Sequence, residues 1–194
     1  MTAVRAMAPK ADKITAGAIR AAMRRVFPPP AWTLLFEVRD ATGFSAQPRS
    51  ADAVAMSCWT SRGLELHGFE IKVSRHDWRK ELLTPEKAER IGVYCDRWWL
   101  VTAPGVVETP TEIPPAWGWV ECDGKGWTER KAAERNKSPK PIDRLFLAAV
   151  LRNAGAVDVA EIDAEIARRE EGREERFQRE VKAAAQRELG ARNE

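Results

Sequence analysis

Two acidic residues and a lysine have the types and the spacing for hydrolytic chemistry in this 194-residue chain. Asp52 is followed eighteen residues later by Glu70, and Lys72 comes two residues after Glu70. Carboxylates bind hard cations such as Mg²⁺, and a nearby lysine can orient or deprotonate a water molecule. The three residues are therefore suited to metal-dependent phosphodiester hydrolysis, provided that the fold brings them together.

The surrounding residues predict a β-hairpin that would bring them together. Apolar runs of strand length cover 52–58 and 64–73, and the residues between them have the composition of a loop. Each step back along one antiparallel strand meets a step forward along the other. The predicted register pairs Met56 with Leu66, Val54 with Gly68, and Asp52 with Glu70.

In this register two like charges face each other. Directly opposed side chains lie about 4.5 to 5.5 Å apart at Cβ, where like charges destabilise a sheet. Lys72 shares the face of Asp52 and Glu70 because strand side chains repeat every second residue. A divalent cation would relieve the repulsion, and the backbone carbonyl of Ile71 could supply a further oxygen ligand.

A purely structural interpretation is the alternative. Asp52 could begin a strand, and Glu70 and Lys72 could be solvated residues on a sheet edge, because short motifs of common residues match by chance. The apolar neighbours Phe69 and Ile71 instead favour a central strand.

The remaining elements are predicted from periodicity and from helix and turn signals. A helix is expected over 13–27. Residues 31–40, which include Glu37, could form a strand by composition, but a short helix is preferred because a proline run makes a good helix start. Further helices are expected after Ser74 and Thr84, and over 142–152. Strands are expected over Arg97–Thr102, Gly118–Cys122 and Trp127–Lys131.

This order predicts an α/β (α+β) fold, with a mixed β-sheet flanked by helices and a C-terminal charged helix. All eight tryptophans lie between Trp32 and Trp127, which predicts the compact body there. We predict an N-terminal basic amphipathic helix over 1–29, a core over 30–134, and a basic linker with a helical extension over 135–194.

Three stretches carry a resemblance to a known family. RSADAVAMS at 49–57, GLELHGFEIKVSRHDW at 63–78 and YCDRWWLV at 94–101 occur in that order. With these motifs the chain resembles the PD-(D/E)xK nuclease superfamily, which has the restriction-endonuclease-like fold, and more narrowly its MmcB-like DNA-repair and phage-encoded branch. The resemblance runs from about Trp32 to Arg130. Ala51 stands where the superfamily's name has proline.

The resemblance implies the roles of the site residues. Asp52 and Glu70 would be metal ligands, Lys72 the catalytic lysine, and Glu37 the acidic residue that many members carry on the helix before the sheet. The implied cofactor is Mg²⁺, with Mn²⁺ as a substitute, and the implied function is a DNA nuclease. The alternative is a catalytically silent, nuclease-fold DNA-binding adaptor in repair, recombination or regulation.

Positive charge is clustered although the net charge is only +3. Residues 1–49 and residues 124–152 each hold eight Lys or Arg against three acids. Such clusters bind a phosphate backbone without sequence preference, and a solvated basic surface is the plain alternative. The candidate DNA contacts are Arg49, Arg135, Lys137, Lys140 and Arg144.

Other features bear on compartment and partners. No apolar stretch approaches the length of a membrane span, and the three cysteines form no CxxC pair, so we expect an intracellular, cytoplasmic and nucleoid-associated protein without structural zinc. The charged segment over 158–190 has too sparse an apolar stripe for a sustained coiled coil. A solvated helix is expected there, with self-association or a protein partner as the alternative.

Overall fold

The computed structural model describes residues 13–41, 50–82 and 90–191. The elements in chain order are α1 (Ala16–Val26), β1 (Trp32–Arg39), β2 (Ser50–Ser57), β3 (Leu66–Lys72), α2 (Arg75–Leu82), β4 (Arg97–Thr102), β5 (Gly118–Cys122), β6 (Trp127–Lys131) and α3 (Arg144–Ala191). The helix start predicted at Thr84 lies outside the described residues.

The six strands form one mixed sheet in which the sequence order is also the spatial order. β1 is antiparallel to β2, β2 is antiparallel to β3, β4 is parallel to both β3 and β5, and β6 is antiparallel to β5. This mixed sheet with its flanking helices confirms the predicted α/β (α+β) class. The predicted bounds of β4, β5 and β6 are also confirmed.

Helices α1 and α2 cover the two faces of the sheet. On one face, Ile19 and Met23 of α1 belong to a buried cluster with Phe69 and Ile71 of β3. On the other face, Trp78 of α2 is fully buried in a cluster that includes Leu100 and Trp119. Alternation along β3 therefore assigns Ile71 to the α1 face and its neighbours Glu70 and Lys72 to the α2 face.

Gly68 lies in the middle of β3, on the same face as Glu70. It pairs with Trp98 of the parallel strand β4. A Cβ atom at this position would collide with the six-membered ring of Trp98 and contact the sulfur of Cys95. The indole therefore fills the space that a side chain would need, and Trp98 is itself buried.

The segment from Trp32 to Arg39 is a strand, so the short helix predicted over 31–40 is wrong. β1 pairs with β2 through seven residue pairs, from Trp32 opposite Ser57 to Arg39 opposite Ser50. Aromatic and branched residues in this segment favour a strand, and the ladder to β2 satisfies their backbone groups. The proline run after α1 ends one helix and does not start another.

The C-terminal segment from Arg144 to Ala191 is one helix. The sequence predicted instead that a short helix would end near Asn153 and Gly155. A glycine inside a helix costs only about 1 kcal/mol relative to alanine, which strong helix formers on both sides can offset. Self-association through residues 158–190 stays a prediction.

The chain divides into two compact units, Met1–Val150 and Leu151–Glu194. The first contains the sheet, α1, α2 and the first residues of α3, and the described part of the second consists of the rest of α3. None of the helices in the described ranges combines the length and the apolar character needed to cross a lipid bilayer.

Candidate active site

The β2–β3 hairpin brings Asp52 and Glu70 together. The predicted pairs Val54 with Gly68 and Met56 with Leu66 are confirmed, and the recorded ladder ends at Ala53 and Phe69, one residue before Asp52 and Glu70. Beyond these pairs, Oδ2 of Asp52 accepts a hydrogen bond of 2.7 Å from the backbone N–H of Ile71. This bond fixes the Asp52 carboxylate beside the residue that follows Glu70.

Burial and mutual repulsion disfavour the charged forms of these two carboxylates. Burial raises the pKa of Asp52, and the nearby charge of Glu37 raises it further. Burial raises the pKa of Glu70 to about 7, with the Asp52 charge as the second cause. The site therefore holds more negative charge than its own cations balance, which is the electrostatic condition that favours a bound cation.

Lys72 bridges two carboxylates on different elements. Its ammonium donates a hydrogen bond to Oε1 of Glu70 and lies 3.0 Å from Oε2 of Glu81 on α2. Burial lowers the pKa of Lys72, but the charges and hydrogen bonds of both carboxylates raise it above its ordinary value. The ammonium is therefore protonated near neutral pH, which favours the water-orienting role over proton abstraction.

Glu81 is the residue at this site that sequence reasoning missed. It lies three residues after Trp78, the fully buried anchor of α2, so it shares the helix face that packs on the sheet. Its side chain is only 12% exposed. The helical spacing from a tryptophan was the available signal, but the sequence alone does not indicate which strand that face meets.

Glu37 lies on edge strand β1 and not on a helix, which corrects the position that the resemblance implied. Its backbone has φ 54, a left-handed conformation uncommon for a residue with a side chain. Its carboxylate forms an ion pair with Arg20 of α1 and is 55% exposed. Glu37 therefore contributes charge near Asp52 while its carboxylate has a cationic partner of its own.

The residues predicted to contact DNA lie in different surroundings. Arg135 forms ion pairs with Glu65 and Asp96, at 3.4 Å and 3.7 Å. Lys140 contacts Asp143 and the hydroxyl of Tyr94, both at 2.9 Å. Lys137 and Arg144 are exposed, and Arg49 lies outside the described residues.

Arg135 belongs to the opposite end of β3 from the acidic site. Its partner Glu65 directly precedes β3, whereas Glu70 and Lys72 lie in the last three residues of that strand. At about 3.3 Å per residue, Glu65 and Glu70 are separated by roughly 17 Å along the strand. The structure therefore does not bring Arg135 to the carboxylate pair.

The donor set at the acidic end fits Mg²⁺ better than zinc. Asp52 and Glu70 supply carboxylate oxygens, and Asp52 retains one oxygen that the Ile71 N–H does not use. Among the described residues, no group of three or more His, Cys, Asp or Glu side chains has the arrangement of a metal site. Two carboxylates supplemented by a carbonyl, water and substrate oxygens match the incomplete protein shells in which Mg²⁺ is held.

Comparisons with known proteins give one structural similarity. No family model matches the chain, and no curated protein matches it. A solved structure of a protein of unknown function from Silicibacter pomeroyi is similar at a TM-score of 0.49 and 17% sequence identity, covering 74% of this chain and 84% of that protein's chain. At this level the similarity identifies neither a family nor a function.

Proposed function

We propose that the protein is a Mg²⁺-dependent deoxyribonuclease that hydrolyses phosphodiester bonds. The observation that carries the proposal is the position of the buried Glu70 carboxylate, next to Asp52 on the neighbouring strand and to the ammonium of Lys72, where burial and the Asp52 charge raise the pKa of Glu70. Two adjacent buried carboxylates destabilise a fold through desolvation and mutual repulsion, and a bound divalent cation would offset this destabilisation.

In this proposal Asp52 and Glu70 hold Mg²⁺, or Mn²⁺ as a substitute, with the carbonyl of Ile71 as a further ligand. When bound, the ion would polarise a phosphoryl oxygen and lower the pKa of a water molecule. Lys72 orients that water and stabilises the negative charge that develops at the phosphate, since its ammonium is protonated. Glu37 has no direct role as a ligand, because Arg20 holds its carboxylate.

DNA is the proposed substrate on grounds of charge. Residues 124–152 carry eight Lys or Arg against three acids. Within that segment Lys137 and Arg144 are exposed, whereas Arg135 and Lys140 already contact carboxylates. Lys137 and Arg144 are therefore the stronger candidates for phosphate contacts, which act through counterion release.

Cleavage of supercoiled plasmid and linear DNA in Mg²⁺, Mn²⁺ or EDTA tests the proposal. We expect metal-dependent cleavage that Asp52→Asn and Lys72→Met each abolish. Lys80→Met is the matched control, because Lys80 is an exposed lysine on α2. Cleavage that survives both Asp52→Asn and Lys72→Met would exclude this site.

The alternative is a DNA-binding adaptor with a silent nuclease fold. Salt-sensitive DNA binding without cleavage, in any of the three metal conditions, would support that function instead. Binding should then depend on Lys137 and Arg144 and be unaffected by Asp52→Asn.

A further inference from the structure

The ammonium of Lys72 already occupies the position of a cation between two acidic side chains. It contacts Glu70 on β3 and Glu81 on α2, and the side chains of Lys72, Glu70 and Glu81 are 14%, 11% and 12% exposed. Three nearly buried charged groups therefore form one bridge, with the single positive charge in the middle.

An ammonium and a divalent cation compete for the same carboxylate. A cation held by Asp52 and Glu70 draws the Glu70 oxygens away from Lys72, because one carboxylate cannot neutralise both charges fully. A buried ammonium that loses its partner is strongly destabilised, so Lys72 needs a second anion for this exchange to occur. Glu81 lies within ion-pair distance to be that anion.

The position of Glu81 is fixed by packing. Trp78, one helical turn earlier on α2, is fully buried against the sheet. At the other end of the bridge, Asp52 accepts a hydrogen bond from the N–H of Ile71, the residue that follows Glu70. Each cation that contacts Glu70 therefore has a second anion of its own, with Glu81 next to the lysine and Asp52 available to the metal.

We propose that Glu81 is a positioning residue that retains Lys72 while a divalent cation takes over Glu70. The inference rests on the proposed function, since it concerns the same metal site. Lys72 then acts as an internal competitor of the metal, and Glu81 lowers the cost of displacing it. Glu81 thereby sets both the metal affinity and the location of the ammonium when substrate is bound.

Mg²⁺ and Mn²⁺ titrations of the full chain at pH 8, followed by calorimetry and by the metal-dependent shift in Tm, test the inference without a cleavage assay. We expect Lys72→Met to bind Mg²⁺ about tenfold more tightly than wild type and Glu81→Gln to bind it about tenfold more weakly. The double variant should resemble Lys72→Met, because Glu81 acts only through the lysine. Glu134→Gln, at an exposed position, should leave the affinity unchanged.

The possible results separate the inference from the proposed function. Absence of Mg²⁺ and Mn²⁺ binding in wild type and in Lys72→Met would reject the metal site and both proposals with it. The inference alone would be overturned if wild type binds the metal and Glu81→Gln leaves that affinity unchanged. It would also be overturned if Glu81→Gln weakens binding equally in wild type and in the Lys72→Met background. Circular dichroism in EDTA checks folding, and Glu81→Asp replaces Glu81→Gln if the latter does not fold, with an intermediate affinity expected.

Discussion

Two glutamates at opposite ends of strand β3 have opposite electrostatic surroundings. At the start, Glu65 accepts hydrogen bonds from Arg97 and His67 and forms an ion pair with Arg135. At the far end, Glu70 has Lys72 as its nearby cation, and Lys72 is shared with Glu81. The Glu65 and Glu70 side chains are 19% and 11% exposed, and Glu70 is the more deeply buried of the two.

Their pKa values differ in direction. Burial acts to raise the pKa of Glu65, but hydrogen bonds and charges from Arg97, with help from His67, lower it below its ordinary value. The pKa of Glu70 is raised to about 7 by burial and by Asp52. The difference indicates that the start of β3 has a balanced charge network that stabilises the fold, while the far end has unbalanced negative charge that a cation could complete.

The largest expected effect is on catalysis. Asp52→Asn should reduce Mg²⁺-dependent DNA cleavage at least about 100-fold, because it removes a proposed ligand charge. Glu65→Gln should change cleavage less than about threefold at a temperature where the variant is folded, because Glu65 lies roughly 17 Å away along the strand. Initial rates on linear DNA measure both. Comparable losses in the two variants would contradict the functional distinction between the two ends.

The second prediction concerns stability and pH at the acidic end. In EDTA, folded Glu70 keeps its proton up to about pH 7, whereas unfolded glutamate loses it near 4.5. The unfolded state binds fewer protons in this window, so wild-type stability falls as pH rises from about 4.5 to 7. Glutamine cannot lose a proton, so the unfolding free energy of Glu70→Gln should fall by about 3 kcal/mol less than that of wild type by pH 8.

Urea unfolding of wild type and Glu70→Gln at pH 5, 6, 7 and 8 measures this difference. Added Mg²⁺ should then raise the stability of wild type at pH 8 and leave Glu70→Gln unchanged. A variant less stable than wild type at pH 8 in EDTA would show that the Glu70 charge stabilises the fold.

The third prediction is that removing a glutamate charge at the start of β3 lowers the stability of the fold, the opposite of the effect expected at Glu70. Glu65→Gln should destabilise the fold at pH 7 by about 1 to 3 kcal/mol, because it weakens hydrogen bonds from Arg97 and His67. The pKa of Glu65 is lowered, so its contribution is present above about pH 4.5 and is lost as pH falls below that value. Glu121→Gln is the control, since Glu121 is also 19% exposed but has an ion pair with the single arginine Arg130. Equal losses of stability in Glu65→Gln and Glu121→Gln would contradict the inference that several partners of Glu65 stabilise the fold together.

The smallest effect is expected for Arg135→Gln. Arg135 is 57% exposed, and its ion pairs are long at 3.4 Å and 3.7 Å. Surface pairs of this kind contribute less than about 1 kcal/mol and weaken with added salt. Urea unfolding at low and high ionic strength measures both properties. A loss of stability above this size that does not depend on salt would mean that the ion pairs of Arg135 contribute to the stability of the charge network around Glu65.

The hairpin was predictable because its signals are local. Alternating apolar residues and a loop of matching length determine which residue of β2 faces which residue of β3. The helix prediction for the segment around Glu37 was wrong because a proline run is an ambiguous signal. It suggested a helix start, while pairing with β2, a distant contact, decides for a strand.

The rest of the site depended on distances that no motif encodes. Glu81 meets Lys72 because α2 packs across the sheet at a particular angle, which the spacing of Trp78 and Glu81 does not specify. The basic residues near 135–144 are clustered in sequence, but Arg135 and Lys140 are engaged by carboxylates of the fold. Charge counts could predict positive potential, and only the folded structure separates structural cations from available ones.

The glycine at position 68 has a consequence for the strength of the charges beyond it. With the Trp98 indole lying over the backbone two residues before Glu70, and on the same face, water has little space along that stretch of β3. The effective dielectric constant beside Glu70 is therefore lower than at the surface, and each attraction or repulsion there is larger than the same pair would feel in solvent. A residue without a side chain thus amplifies the electrostatics of its charged neighbours.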